Sequence, residues 1–196
     1  MRVIAGKFRS RPLHSMRGLD IRPTSDRLRE TLFNVLTAGN PQALEGSVWV
    51  DLFAGTGAVG IEALSRGATM VYFVEHSRRA TEIIRENLGS LKMTAGVEIL
   101  QQEVAHAISQ MARRGLRANF VFLDPPYRLQ DAYRETLESL ASSEFGLDAL
   151  IIAEHARRFD PGEKFAALQR TRKLEQGDAA LSFYRADDFG SRSHSE

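Results

Sequence analysis

VWVDLFAGTGAVG, residues 48–60, runs from an apolar stretch through one acid into a glycine-rich loop. Its first five residues read as a buried strand, and the loop leads into the helix-like GAVGIEALSRG. The spacing Gly55-x-Gly57-x-x-Gly60 after a strand is the fingerprint of dinucleotide-binding sheets. There, glycines let the backbone approach a pyrophosphate held at the amino end of a helix. Asp51, four residues before Gly55, does not suit that ligand, because a carboxylate at the mouth of the loop repels phosphate and attracts a cation. The stretch defines a strand–loop–helix unit of an α/β sheet, and the rest of the chain must choose its ligand.

Outward from this unit the pattern repeats. VWVDLF, MVYFVE, VEIL, NFVFLD and LIIAE are short apolar runs, separated by IEALSRG, SRRATEIIRENLGSL, EVAHAISQMARRG and RLQDAYRETLESLASS, which carry helical spacing. That alternation predicts a mostly parallel sheet covered by helices. The end of the chain departs from it. Only HARRFDPGEK separates LIIAE from FAALQRTRKL, too short for a parallel crossover, so FAALQRTRKL and AALSFYR are expected to form an antiparallel hairpin around Gln176-Gly177-Asp178. Upstream, RPTSDRLRETLFNVL predicts a helix capped by Thr24 or Ser25, with Leu28, Leu32, Phe33 and Leu36 as its apolar stripe. The expected division is a basic β-arm and helix over 1–40, a catalytic domain over 41–187 and a polar tail over 188–196.

Composition sets the class. A chain of 196 residues with 43% hydrophobic content builds one core. It has no cysteine, no apolar run of membrane-spanning length and no secretory stretch at its start, so a cytoplasmic protein is expected. The net charge is only +1, yet residues 1–40 hold eight Lys or Arg against three acids. A basic arm on a slightly acidic body fits a polyanion partner, while a solvated, solubilising surface is the plainer reading. Lys7, Arg9 and Arg11 alternate along an expected strand, so their side chains would share one face and follow a phosphate backbone. The five histidines show no metal spacing.

Two further acids bear on the ligand. Glu75 closes the second apolar run, where a carboxylate can accept both hydroxyls of a ribose. Glu103 follows the third and reads as an acid favouring the amino end of its own helix. With Asp51, Phe53, Gly55 and Gly57, the pattern D-x-F-x-G-x-G resembles the first motif of the S-adenosylmethionine-dependent methyltransferases, whose ligand is cationic. Only through that resemblance does Glu103 read, alternatively, as a contact for the adenine amino group.

NFVFLDPPY, residues 119–127, decides between the readings. A buried strand runs into Asp124-Pro125-Pro126-Tyr127, where two prolines fix the backbone and leave carbonyls aimed out of the sheet. Carboxylate, rigid carbonyl and aromatic ring are what an exocyclic amino group of a nucleobase needs. Asp124 and the Pro125 carbonyl can accept its two N–H bonds, and Tyr127 can stack on an extruded base. An ordinary Asp-Pro-Pro turn is the plainer reading of the four residues alone. In order after the glycine loop, they resemble the signature of amino-group methyltransferases and leave hydride transfer without a use for the cluster.

RVIAGKFRSRPL followed by RPTSDRLRETLFN, then DLFAGTGAVGIEALSRGA, FVE, DPPY and LSFY, together resemble the RsmD-type methyltransferases over nearly the whole chain. That resemblance implies a Rossmann-like fold, S-adenosylmethionine as cofactor, and methylation of a guanine N2 amino group in small-subunit (16S) ribosomal RNA; the RNA is free or in a partly assembled subunit, and a monomer is expected. It also implies that Arg22 and Thr24 lie on the cofactor and RNA side. Glu103 stands where the family commonly has aspartate, and Gln176-Gly177-Asp178 lacks the family's aromatic before the glycine. Two other readings share features: a DNA adenine-N6 methyltransferase, which needs a target-recognition segment that no part of this chain is long enough to supply, and a non-catalytic RNA-binding module, which leaves both motifs idle.

Overall fold

In the computed structural model, which describes residues 1–15, 25–126 and 128–187, the alternation becomes one eight-stranded sheet in the order β3-β2-β1-β4-β5-β8-β7-β6. Strands β1 (Val48–Leu52), β2 (Met70–Val74), β3 (Val97–Leu100), β4 (Phe120–Leu123) and β5 (Leu150–Ala156) are parallel. Helices α2 (Ala58–Ser65), α3 (Arg78–Ser90), α4 (Val104–Arg113) and α5 (Gln130–Ala141) connect them in turn. A short α6 (Glu144–Asp148), capped by Ser143, follows α5 and has no counterpart in the sequence reading.

Both sheet faces are covered. Trp49, Phe122 and Ile152 point into one core with Leu32, Ile61 and Ile84 of the helices on that side. Their neighbours Val50, Val121 and Ile151 point into the other, with Ile108 of α4 and Leu137 of α5. The alternation of side chains across each strand accounts for this division. β1 pairs with β2 on one flank and β4 on the other, so the sheet changes its winding direction between β1 and β4. A crevice at the carboxyl ends of those two strands follows from that topology.

The expected hairpin is β7 (Leu168–Gln176) and β8 (Ala179–Ala186), antiparallel, with β8 set between β5 and β7. The stretch expected as one strand, FAALQRTRKL, is split. Its first residue belongs to β6 (Lys164–Phe165), and Ala166, at φ +49°, turns the chain back into β7. Among the described residues, no helix is long and apolar enough to cross a membrane.

Helix α1 (Asp26–Thr37) is capped by Ser25, whose hydroxyl accepts the Leu28 amide, while Thr24 lies outside the described residues. Leu28, Leu32 and Phe33 are buried as the stripe requires, and Leu36 is half-buried. The arm before it corrects the expectation of a strand with Lys7, Arg9 and Arg11 on one face. Among the described residues of the arm only a single bridge, Arg2 with Pro12, has strand pairing, and the chain turns at Gly6 (φ +79°) and Ser10 (φ +68°). The carboxyl end of α2 captures the amides that a strand would have used. Lys7 N donates to Ser65 O at 2.7 Å and Phe8 N to Ser65 Oγ at 3.0 Å. The approach is so close that a Cβ on Gly6 would stand 1.8 Å from the Ser65 carbonyl oxygen.

One carboxylate ties arm, α1 and α2 together. Glu62 of α2 is fully buried and accepts the amides of Ile4 (2.8 Å) and Ala5 (2.9 Å) and Nε of Arg66 (2.8 Å). Arg29 of α1, also fully buried, places Nε 3.8 Å from Glu62 and donates through Nη2 to the Arg2 carbonyl and to Asp26. The described part of the arm and α1 therefore share a core with the sheet, Val3, Leu13, Leu32 and Phe33 packing in the same cluster as Trp49. Glu62→Gln leaves the Arg29 guanidinium buried without its full counter-charge and should cost about 3 kcal/mol of unfolding free energy, read from urea denaturation. Trypsin should also cut the arm after Lys7 and Arg9 faster, and unaltered cleavage would show that the arm is anchored elsewhere.

Candidate active site

The carboxyl end of β1 carries the glycine loop. Phe53, Gly55 and Gly57 all take left-handed backbone conformations (φ +60°, +55° and +77°), which lets the loop double back before α2 begins. Left-handed geometry is costly for Phe53, a cost that concentrates at functional sites. Gly60 brings α2 down onto β2, since a Cβ there would stand 2.4 Å from the Phe73 ring.

Two acids hold the loop. Asp51, 2% exposed, accepts the Gly60 amide through Oδ2 at 2.9 Å. Burial, with the charge of Glu75 adding to it and the Gly60 amide opposing it, pushes the Asp51 carboxyl up to about 8. Glu75 accepts the Gly55 amide through Oε2 (2.9 Å) and the Ser77 amide through Oε1 (2.8 Å), with Nδ1 of His76 3.3 Å away. Glu103 behaves differently. It is exposed at the N-cap of α4 and its side chain makes no capping hydrogen bond, so no contact among the described residues distinguishes its two readings.

On the neighbouring strand, Asp124 is half-buried, Pro125 buried and Pro126 exposed. The hydroxyl of Tyr133, from α5, donates toward the Pro125 carbonyl (3.3 Å) and to the Glu154 carbonyl of β5 (2.9 Å). The β4–β5 register, which pairs Leu123 with Ala153, sets Asp124 beside Glu154. Asp51, Asp124 and Glu154 thus stand on one face at the carboxyl ends of three adjacent strands. The Asp124 carboxyl is raised well above the ordinary range by burial, then by Glu154 and Asp51. Tyr127, Arg22 and Thr24 lie outside the described residues.

The arm reaches this end through Asn87, a buried residue the sequence reading passed over. Its Oδ1 accepts the His14 amide at 2.7 Å, while Nδ2 donates to the Thr56 carbonyl in the glycine loop at 3.0 Å. Of the arm's cations, Arg11 donates to the Ser90 carbonyl and Lys7 lies over the Phe8 ring. Arg9 is exposed, with no side-chain partner among the described residues. Glu62, Asn87, Tyr133 and Glu154 all went unremarked. For Asn87 a signal existed: with Ala80, Ile84 and Leu88 it occupies the apolar stripe of α3, where a polar residue must find partners.

This geometry brings a buried carboxyl and a glycine loop at the end of β1 next to a second carboxyl and a rigid carbonyl at β4. The family model described as "Conserved hypothetical protein 95" matches residues 1–185. The chain is 34% identical to the Bacillus subtilis protein named "Putative rRNA methyltransferase YlbH", over 94% of this chain and 98% of that one. It is 36% identical to the ribosomal RNA small subunit methyltransferase D of Escherichia coli K12, over 78% of this chain and 72% of that one. Among solved structures, "Putative methyltransferase yhhF from Escherichia coli" superposes with a TM-score of 0.77 at 32% identity, over 95% of this chain and 98% of that chain. Glycine loop, acid–proline motif and an amino-terminal arm docked on the Trp49 side of the sheet all fall within the matched residues, and the chain belongs to the conserved hypothetical protein 95 family, which takes in the ribosomal RNA small subunit methyltransferase D proteins.

Proposed function

We propose that the protein is an S-adenosylmethionine-dependent methyltransferase that modifies the N2 amino group of a guanine in small-subunit (16S) ribosomal RNA, in the cytoplasm and as a monomer. One observation carries the reading: Asp124 and the Pro125 carbonyl stand one strand away from the acid-flanked glycine loop, so a cationic donor and an amine acceptor share one crevice. The RsmD-type relatives support ribosomal RNA as substrate, and the proposal extends to that RNA free or within a partly assembled subunit.

The residues present fit the cofactor. Asp51 offers a buried carboxyl to the cationic end, the glycine turns leave room for close backbone approach, and Glu75 keeps acceptor capacity for a ribose beyond the two amides it holds. Phe53 lies beside this loop, and Arg22, Thr24 and Glu103 are assigned to the same side by resemblance. When bound, S-adenosylmethionine supplies a methyl group made electrophilic by its sulfonium. The protein's part is to aim the amine. The lone pair of guanine N2 is delocalised into the ring, and acceptance of its N–H bonds by Asp124 and the Pro125 carbonyl turns it toward the methyl carbon. Tyr127 is assigned the stacking of the base. Proton loss follows methyl transfer, because the neutral amine is far too weak an acid for a carboxylate to deprotonate beforehand.

Three outcomes test this reading. With its carboxyl at about 8, Asp51 holds a proton at pH 7, and a cationic ligand favours the ionised form. Binding should therefore release a proton, and affinity should climb between about pH 6 and 8 by up to about tenfold per unit, then level off. Calorimetry in two buffers of different ionisation heat reads the release directly, and Asp51→Asn should abolish it. A pH-flat affinity in the parent would remove Asp51 from the ligand's surroundings.

Single-turnover methyl transfer to ribosomal RNA at saturating cofactor tests the chemistry. Asp124→Ala should slow it by about 10² to 10³. Asp124→Asn, which keeps a carbonyl oxygen, should be slowed less. Parental rates in both would refute the assignment of the motif. For the RNA grip, neutralising Lys7, Arg9 or Arg11 should each lower the salt slope of RNA binding by about one while leaving cofactor affinity alone. An unchanged slope in the triple alanine variant would move the grip off the arm.

A further inference from the structure

In a parallel ladder, amides of alternate residues on each strand donate across to the neighbour. Between β4 and β5 the series starts with the Leu150 amide donating to the Asn119 carbonyl, in a register pairing Phe120 with Leu150. Continued two residues at a time, that series calls on residue 125 to donate to the carbonyl of Glu154. Residue 125 is a proline and has no N–H. Residue 126 is also proline, so the chain leaves β4 through two consecutive positions that cannot donate to anything. A buried carbonyl left without its donor is destabilising, and the loop beyond it loses its tether.

The structure assigns the missing bond to Tyr133: its hydroxyl takes the ladder position vacated by Pro125, and so positions the Pro125 carbonyl that aims the substrate amine. The distance to Glu154 O is 2.9 Å, that of an ordinary hydrogen bond, and the same oxygen lies 3.3 Å from Pro125 O. The ring that carries it is 1% exposed, held by edge contact with His155 and tilted against Phe159. His155 is in turn fixed, its two ring nitrogens 3.0 Å from Ala156 O and 2.9 Å from Ser182 Oγ. A hydroxyl on a locked ring is a better reference point than a loop amide. Tyr133 is a positioning residue, not a catalytic one. It sits on α5, nine residues after Asp124 and within reach of both strands that flank the proposed amine site.

The inference rests on the reading of the site given above, and its test separates the two. Tyr133→Phe keeps the ring and removes the donor. The single-turnover rate should fall about tenfold, as expected for slight misplacement of an aiming group, with KM for RNA and cofactor affinity unchanged. Tyr184→Phe is the matched control. Tyr184 is equally buried, and its hydroxyl donates to Gly162 O at 2.7 Å, but it lies opposite Ile151, at the other end of β5. It should lose similar stability and keep the parental rate. Parental turnover in Tyr133→Phe, or an equal loss in Tyr184→Phe, overturns the inference. Parental turnover in Asp124→Ala would show instead that the reading of the site had failed. An arm independent of turnover uses Pro125→Ala, which restores an amide facing Glu154 O. In that background Tyr133→Phe should cost less stability in urea denaturation than in the parent chain, and additive costs would refute the assigned bond.

Discussion

Everything at the functional end depends on the reversal of winding between β1 and β4. Crossovers on either side of that line leave the sheet in opposite directions, so no connection closes over the strand ends there. β1 delivers Asp51 and the glycine loop to the gap, and β4 delivers Asp124 and its prolines. Neither motif would mean much at a strand end that a helix covered. The same reversal explains the large aromatic core beneath it: Trp49, Phe120 and Phe122 lie next to one another across β1 and β4, with Phe33 of α1 stacked on Trp49.

Buried acids are the second organising theme. Charges removed from water are expensive unless hydrogen-bonded, and backbone amides are the partners this chain uses. Gly60 serves Asp51, Gly55 and Ser77 serve Glu75, and Ile4 and Ala5 serve Glu62. Glu75 and Glu62 hold segments that lack regular structure, while Asp51 ties the first turn of α2 to β1 across the glycine loop. The glycine loop is preformed by the carboxylates proposed to meet the ligand, and the arm is held by one that faces away from it.

Periodicity revealed the elements that bury a face. Five parallel strands, their helices, α1 with its Ser25 cap and the β7–β8 hairpin all follow from apolar spacing and turn residues. Local spacing failed where a long-range partner decides the outcome. The arm looks like a strand because Lys7, Arg9 and Arg11 alternate, yet Ser65 and Glu62, more than fifty residues away, take its amides. FAALQRTRKL looks continuous, yet Ala166 breaks it. At the site, Asp51, Glu75 and Asp124 were legible because they end apolar runs. Tyr133 was not, since an α5 tyrosine gains meaning only once the sheet is assembled, while Asn87 left one trace, a polar residue in the apolar stripe of α3.

The split at Ala166 has a bearing on colloidal behaviour. A sheet that ended in a long, regular strand would offer a row of unpaired amides and carbonyls to another copy of itself. Here the outermost strand is two residues long and begins with Lys164. The strand behind it is bent by an irregularity between Arg170 and Arg172 and carries Arg170, Arg172, Lys173 and Glu175. Charge, curvature and brevity combine to make the margin a poor template for intermolecular pairing, which protects a chain with a highly apolar sheet interior from edge-to-edge aggregation.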